Sequence, residues 1–506
     1  MISTGKSASH ARAVALGFLL LSLIAVLPVV SVRLPPILDY PNHLARMHIV
    51  ATLPGSTDLA RYYRAIWTPI PNLAWDAVVP LLAAAMPVEI AMRLALAVML
   101  LALAGGCVVL HRVAFQRWSI WPLFAFLLLY NRILLWGFLN YLAGVALMLW
   151  ALAAWIAIER RPWLLRVAVG AVLATAIYLA HLAAFGAYAL AVIALSLAAP
   201  ADKARQTLIA ATTLLPGAIL FLLAPTSGAA SHIDYGNPFR KFDLPVSIFD
   251  NYNRALDGAT FGIMLIAVIA GLVRRNIVLH AQLRWALLAL LIAFVVLPSR
   301  LLSASGIDHR LPVAIALLFV AVSDWAAIAP KWRAGVTATL LALLVVRMGV
   351  VETVWLRADR QYTALRPAFD HIARGAAVAV AAPAGDVQAG GAPLFHFPTL
   401  AVLDRDAFVD TIFADPRQQP LKLTERATGL AAHPRPETLW PALSKNALPP
   451  LPGYDDLIII DPPATLDIAK LPGTVEFTAP RFLLIHLPTS GLSAGPGTDP
   501  GMEHAQ

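Results

Sequence analysis

The 506-residue chain has one cysteine, and only 13% of its residues are charged. Cys107 lies inside an apolar run, so no intrachain disulfide can form, and a reactive thiolate is not expected at that depth. So little charge could not cover the surface of a soluble globule of this size, and 59% of the residues are hydrophobic. The familiar soluble-enzyme signatures are missing: there is no P-loop, no G-x-S-x-G, no H-E-x-x-H and no paired C-x-x-C. No internal repeat recurs at a solenoid period. The net charge of +9 does not form a nucleic-acid footprint, because the basic residues fall in short clusters between apolar runs. What remains is a polytopic α-helical membrane protein whose direct partner is the bilayer.

Apolar segments near spanning length occur at roughly 13–32, 88–110, 119–136, 139–158, 163–181, 182–199, 207–224, 258–273, 283–299, 310–328 and 334–353. They predict about eleven transmembrane helices. The first follows Lys6 and Arg12 and is read as an uncleaved span, since no clear small-x-small site precedes Arg33. Alternate loops are short and basic. They carry Arg112 and Arg117, then Arg160, Arg161 and Arg166, then Lys203 and Arg205, then Arg274, Arg275 and Arg284, then Lys331 and Arg333. Only Glu159 and Asp202 oppose them, which predicts a cytoplasmic N-terminus by the positive-inside rule.

The opposite face receives a first loop over 33–87, a second long loop over 226–257 and everything after 353. The expected organisation is a transmembrane domain over 1–353, a small α/β domain over 354–489 and a disordered Gly/Pro/Ser-rich tail over 490–506. Short apolar runs at 376–382, 400–403, 457–460 and 482–485 have the length of buried strands. In the first loop a helix is expected from Asp39 to Leu53, stopped by Pro54-Gly55-Ser56, and a second, shallow helix from Asn72 to Met86. Between them, Arg61-Tyr62-Tyr63-Arg64 and Trp67 suit the headgroup zone.

Polar residues gather at the outer helix ends: Asp39, His43 and Arg46, then Asn131 and Arg132, His181, His232 and Asp234, and Arg300, Asp308, His309 and Arg310. Polar side chains near membrane depth tend to face a cavity and to be functional. Each also fits a plainer role. Asp39 can cap a helix whose first turn holds Pro41. His43 and Arg46, three apart, share a helix face and could pack at the interface or meet headgroups. Arg132 and Arg300 could snorkel, and His181 fits a structural histidine at a helix junction. Asp308-His309-Arg310 could be a cap with anchors, and Asp234 a turn residue.

An acid just past the first span, within Asp39-Tyr40-Pro41-Asn42-His43-Leu44-Ala45-Arg46, followed by helices in the same outer loop, resembles the bacterial GT-C superfamily of membrane glycosyltransferases. The resemblance covers the whole topology, although no second acid adjoins Asp39 as it does in better-known members. It implies a multi-pass enzyme of the inner membrane with a periplasmic C-terminal domain. Such an enzyme takes sugar from a polyprenyl-phosphate-linked donor and delivers it to an acceptor. Asp39 would be the general base of an inverting transfer, or would orient the acceptor hydroxyl, with His43 beside it in the catalytic group. Arg46, Arg300 and Arg310 would meet the lipid phosphate, with His309 assisting. Arg132, His181, Asp234 and Asp308 would complete the cavity. No cofactor is expected, and the scarcity of acids around Asp39 argues against a tightly bound metal. The competing readings are a transporter or flippase for a lipid-linked or small substrate, and a non-catalytic scaffold presenting the outer domain.

Overall fold

The computed structural model describes residues 2–225, 233–301, 304–325, 328–383, 392–432 and 435–488. The 490–506 tail and His232 lie outside the described residues. Among those described, seven helices are long and apolar enough to cross a membrane: Ala8–Ser31, Val88–Phe115, Leu139–Ala157, Trp163–Ala180, Lys203–Leu223, Arg254–Val273 and Lys331–His371. The protein is therefore a multi-pass membrane protein.

The remaining expected spans differ from the expectation. Leu182–Leu197, Leu283–Val296 and Ile307–Val322 are helices of 14 to 16 residues. At about 1.5 Å per residue they fall short of a hydrocarbon core about 30 Å thick. The segment expected as one span over 119–136 is broken into a 3-10 helix, Trp121–Leu128, and a short α-helix, Arg132–Trp136. Asn131 causes the break: its Oδ1 accepts from Leu134 N while its Nδ2 donates to the carbonyls of Leu128 and Leu129. Irregular backbone at this depth survives only inside protein, and the segment is largely buried. Arg347, inside the last long helix, pairs with Asp257 at 2.5 Å and donates to Phe249 O, so its charge is neutralised within the bundle.

The first loop is an internal part of the fold. The helix Tyr40–Thr52 is buried almost all round, from Tyr40 through Met47. Tyr62 and Tyr63 are fully buried, which corrects their expected headgroup placement. Strand Tyr63–Ala65 pairs antiparallel with Leu421–Leu423 of the C-terminal domain, and Tyr62 Oη donates to Gly375 O. A two-stranded sheet thus joins the first loop to the C-terminal domain.

The helix Pro330–Leu365 runs straight through position 353 into that domain. Its five-stranded sheet has the order Thr474–Ala479, Phe482–His486, Asp456–Ile460, Ala377–Ala381, Phe408–Val409. The first two neighbouring pairs are antiparallel and the last two parallel. Strands Ala377–Ala381 and Asp456–Ile460 are buried along their length, as expected of runs covered on both faces. The run at 400–403, expected as a strand, is instead the start of helix Leu400–Arg405, because the 3-10 turn Phe397–Thr399 leads directly into it. This short helix packs on Tyr40–Thr52.

Candidate active site

Asp39 sits at the N-cap of helix Tyr40–Thr52, yet its side chain makes no capping bond. Two links tie its segment to the turn after Arg132–Trp136. Leu38 N donates to Leu135 O at 2.9 Å, and His43 Nε2 lies 3.0 Å from Gly137 O. Gly137 adopts φ +98° and closes against Asp39. The Asp39 side chain, 22% exposed, is left facing a cavity rather than its own helix.

Behind it lies a buried relay. Arg46, 1% exposed, forms a two-pronged pair with the fully buried Asp76: Nε to Oδ1 at 2.7 Å and Nη2 to Oδ2 at 3.1 Å. Asp76 is held in place because Asn140 Oδ1 accepts from Trp75 N and Asn140 Nδ2 donates to Asn72 O. Arg46 Nη2 also donates to His43 Nδ1 at 3.1 Å. The Gly137 carbonyl can only accept, so His43 carries its proton on Nε2 and receives Arg46 on Nδ1. Burial first, and the Arg46 charge second, pull this imidazole down to about 4. His43 is a neutral strut with both ring nitrogens engaged, which leaves it no lone pair for proton transfer.

The C-terminal domain supplies the facing wall. His396 Nε2 lies 3.4 Å from Asp39 Oδ1, and His396 Nδ1 lies 3.1 Å from Asn42 Nδ2. Asp410, after strand Phe408–Val409, accepts weakly from Val380 N at 3.3 Å, and its other oxygen is enclosed without a partner among the described residues. Burial pushes its carboxyl up to about 8, against the pull of the backbone N–H groups. Between these walls is a cavity of about 840 Å³, lined by Asp39, His43, Arg46, residues 137–141, His181, Arg310, His396 and Asp410, among others. Arg310 is 7% exposed, and its guanidinium lies 4.5 Å over the Phe138 ring. Tyr141 Oη donates to its carbonyl at 2.8 Å. Among the described residues no carboxylate forms an ion pair with Arg310, and its Nε is buried without a partner. No three His, Cys, Asp or Glu side chains among the described residues converge as a metal site.

No protein-family model matches the chain, and no curated protein sequence matches it. Among solved structures, the crystal structure of ArnT from Cupriavidus metallidurans in the apo state is similar to it. The TM-score is 0.53 and the identity 14%, over 96% of this chain and 98% of that one. The chain has the GT-C fold.

Within this GT-C fold, Asp39, His43, Arg46, His181 and Arg310 of the sequence candidates share the one cavity. His181 Nδ1 accepts from Ala183 N at 3.0 Å, so it caps helix Leu182–Leu197 while its ring lines the space. The other candidates form a separate cluster. Asp234 and Arg300 exchange backbone hydrogen bonds, and Asp308 accepts from Ser299 Oγ at 2.7 Å. His309 packs on Trp136, whose ring also lies beneath Arg132, and Arg132 pairs with Asp250. None of these five is among the residues that line the Asp39 cavity.

Asn42, Asp76, Asn140, His396 and Asp410 escaped the sequence reading. Asp76 had a usable signal, being the single charged residue of the 72–86 segment: an acid inside an apolar helix must find a cation. His396 and Asp410 had none, since only the docking of the C-terminal domain brings them to Asp39.

Proposed function

We propose that the protein is a membrane glycosyltransferase that moves a sugar from a polyprenyl-phosphate-linked donor to an acceptor hydroxyl in this cavity. One observation carries the reading: an uncapped carboxylate, Asp39, and a buried guanidinium, Arg310, which has no ion pair among the described residues, line the same space. A structural arginine at such depth would be paired, as Arg46 is with Asp76 and Arg347 with Asp257. Arg310 is in the condition of a cation that awaits an anion.

The chemistry follows. The acceptor oxygen attacks the anomeric carbon as its proton passes to Asp39. The bond from that carbon to the phosphate oxygen breaks, and polyprenyl phosphate leaves with one more negative charge. Arg310 stabilises that charge, and Nη1 of Arg46, which has no hydrogen-bond partner among the described residues, is a second donor. A single displacement inverts the anomeric centre. The polyprenyl tail lies in the bilayer beside the helices while the head group reaches the cavity.

The test is transfer of radiolabelled sugar from a panel of undecaprenyl-phosphate-linked donors, using purified protein in nanodiscs with lipid and glycan acceptors. Wild type should transfer from at least one donor, and Asp39→Asn and Arg310→Gln should fall by about 10²-fold or more at equal expression. Full activity in Asp39→Asn would remove the base assignment. Absence of transfer from every donor, with no donor hydrolysis, would remove the glycosyltransferase reading.

A further inference from the structure

Asn42 is fully buried, and each of its polar atoms is engaged by the C-terminal domain. Phe413 N donates to its Oδ1 at 2.8 Å, and its Nδ2 donates to Thr411 O at 2.7 Å. These partners are backbone groups whose roles cannot be exchanged, so they decide which end of the amide is oxygen and which nitrogen. The second Nδ2 hydrogen is then directed to His396 Nδ1 at 3.1 Å. That nitrogen must accept, so the neutral ring bears its proton on Nε2, the atom 3.4 Å from Asp39 Oδ1. Phe395 and Phe413 hold the ring edge-on, with centroids 4.9 Å and 5.0 Å away. The backbone of His396 is fixed by Thr399, whose N and Oγ1 both donate to His396 O.

We infer that His396 is the positioning residue of Asp39, so that the C-terminal domain is a working half of the active site. The inference rests on the reading of Asp39 as the base. The Nε2–H group lies 3.4 Å from Oδ1, an electrostatic contact that biases the rotation of the carboxylate and shortens to a hydrogen bond when the acceptor is bound. Oδ2 is left as the oxygen that meets the acceptor proton. Gly137 closes against the backbone and Cβ of Asp39. A plain packing role for His396, as a third ring between two phenylalanines, would need neither the tautomer nor the contact.

The experiment uses the full chain in lipid nanodiscs, labelled with ¹⁵N-histidine, with the His396 resonances assigned by their loss in His396→Gln. Nε2 should carry the ring proton and Nδ1 should be bare. Asp39→Ala should shift the Nε2 resonance, and Asn42→Asp should move the proton to Nδ1. A wild-type ring protonated on Nδ1, or an Nε2 resonance indifferent to Asp39→Ala, overturns the inference without any substrate.

The transfer assay adds a second arm. His396→Phe keeps the ring packing and should lose about tenfold or more in kcat with little change in KM, as expected when a reacting group is misplaced. His396→Gln restores an N–H and should recover most of that loss. If His396→Phe is fully active while Asp39→Asn is dead, the positioning role fails and the base survives. If Asp39→Asn is active, the base reading itself fails.

Discussion

Asp39 occupies the space that a side chain at Gly137 would need. A Cβ built on Gly137 would come within 2.5 Å of Asp39 Cβ and 3.0 Å of Asp39 N. The glycine's φ of +98° is independently unfavourable for any other residue. Gly137→Ala should therefore combine about 1–3 kcal/mol of backbone strain with a displaced carboxylate. The expected outcome is a lower apparent Tm together with a loss of transfer larger than the stability change explains. Scanning fluorimetry and the transfer assay on the same preparation check it.

The Arg46–Asp76 pair yields a non-additive result. Asp76→Ala leaves a buried guanidinium without its carboxylate, and Arg46→Ala leaves the reverse. Each should destabilise the protein by about 3–5 kcal/mol. The double variant should be less damaged than the sum, because neither charge is then stranded. A thermal double-mutant cycle that came out additive would show the pair to be energetically unimportant.

Arg310 should behave in the opposite sense. Its charge is buried without an ion-pair partner among the described residues, so its removal relieves a desolvation penalty. Arg310→Met is expected to raise the apparent Tm while abolishing transfer. A variant that is both less stable and inactive would instead mark Arg310 as structural.

Stability should depend on pH through two groups of opposite sign. The folded value of His43 is lowered, from 6.5 to about 4, so the unfolded chain binds more protons between these limits. Its contribution is complete above about 6.5 and is lost as pH falls towards 4, on the order of 3 kcal/mol at most. The folded value of Asp410 is raised, from 3.8 to about 8, so its contribution is present at acid pH and is lost as pH rises through that interval. Relative to wild type, His43→Gln should gain as the buffer is taken from pH 7 to 4.5, and Asp410→Asn should gain from pH 5 to 8.5. Apparent Tm against pH for the three proteins measures both trends.

The position of Asp39 after the first long helix was legible because it depends only on local order along the chain: an apolar run ends, and an acid, a proline, a histidine and an arginine follow. The same local reading could not tell a cap from a base. In the structure the carboxylate makes no capping bond and lines a cavity. The reading of Tyr62 and Tyr63 as headgroup contacts failed for a related reason. Aromatic and basic residues suit an interface equally well when it is lipid and when it is another domain, and here the partner is strand Leu421–Leu423.

Residue order along the chain was enough for the membrane class, the position of the long apolar helices, the presence of a C-terminal domain and the candidacy of Asp39. Hydrophobic run length and charge placement are properties of contiguous segments, and a bilayer reads them segment by segment. Tertiary structure alone decided which polar groups meet. It sent Arg300 and His309 to one cluster and Arg310 to another, although nine residues or fewer separate them in the chain. It also brought His396 to Asp39 across 357 positions. That selection depends on helix rotation, on the break at Asn131 and on the docking of a domain through buried amides. None of these has a signature in any single stretch of sequence, because each is fixed by the need to satisfy buried polar groups across the whole fold.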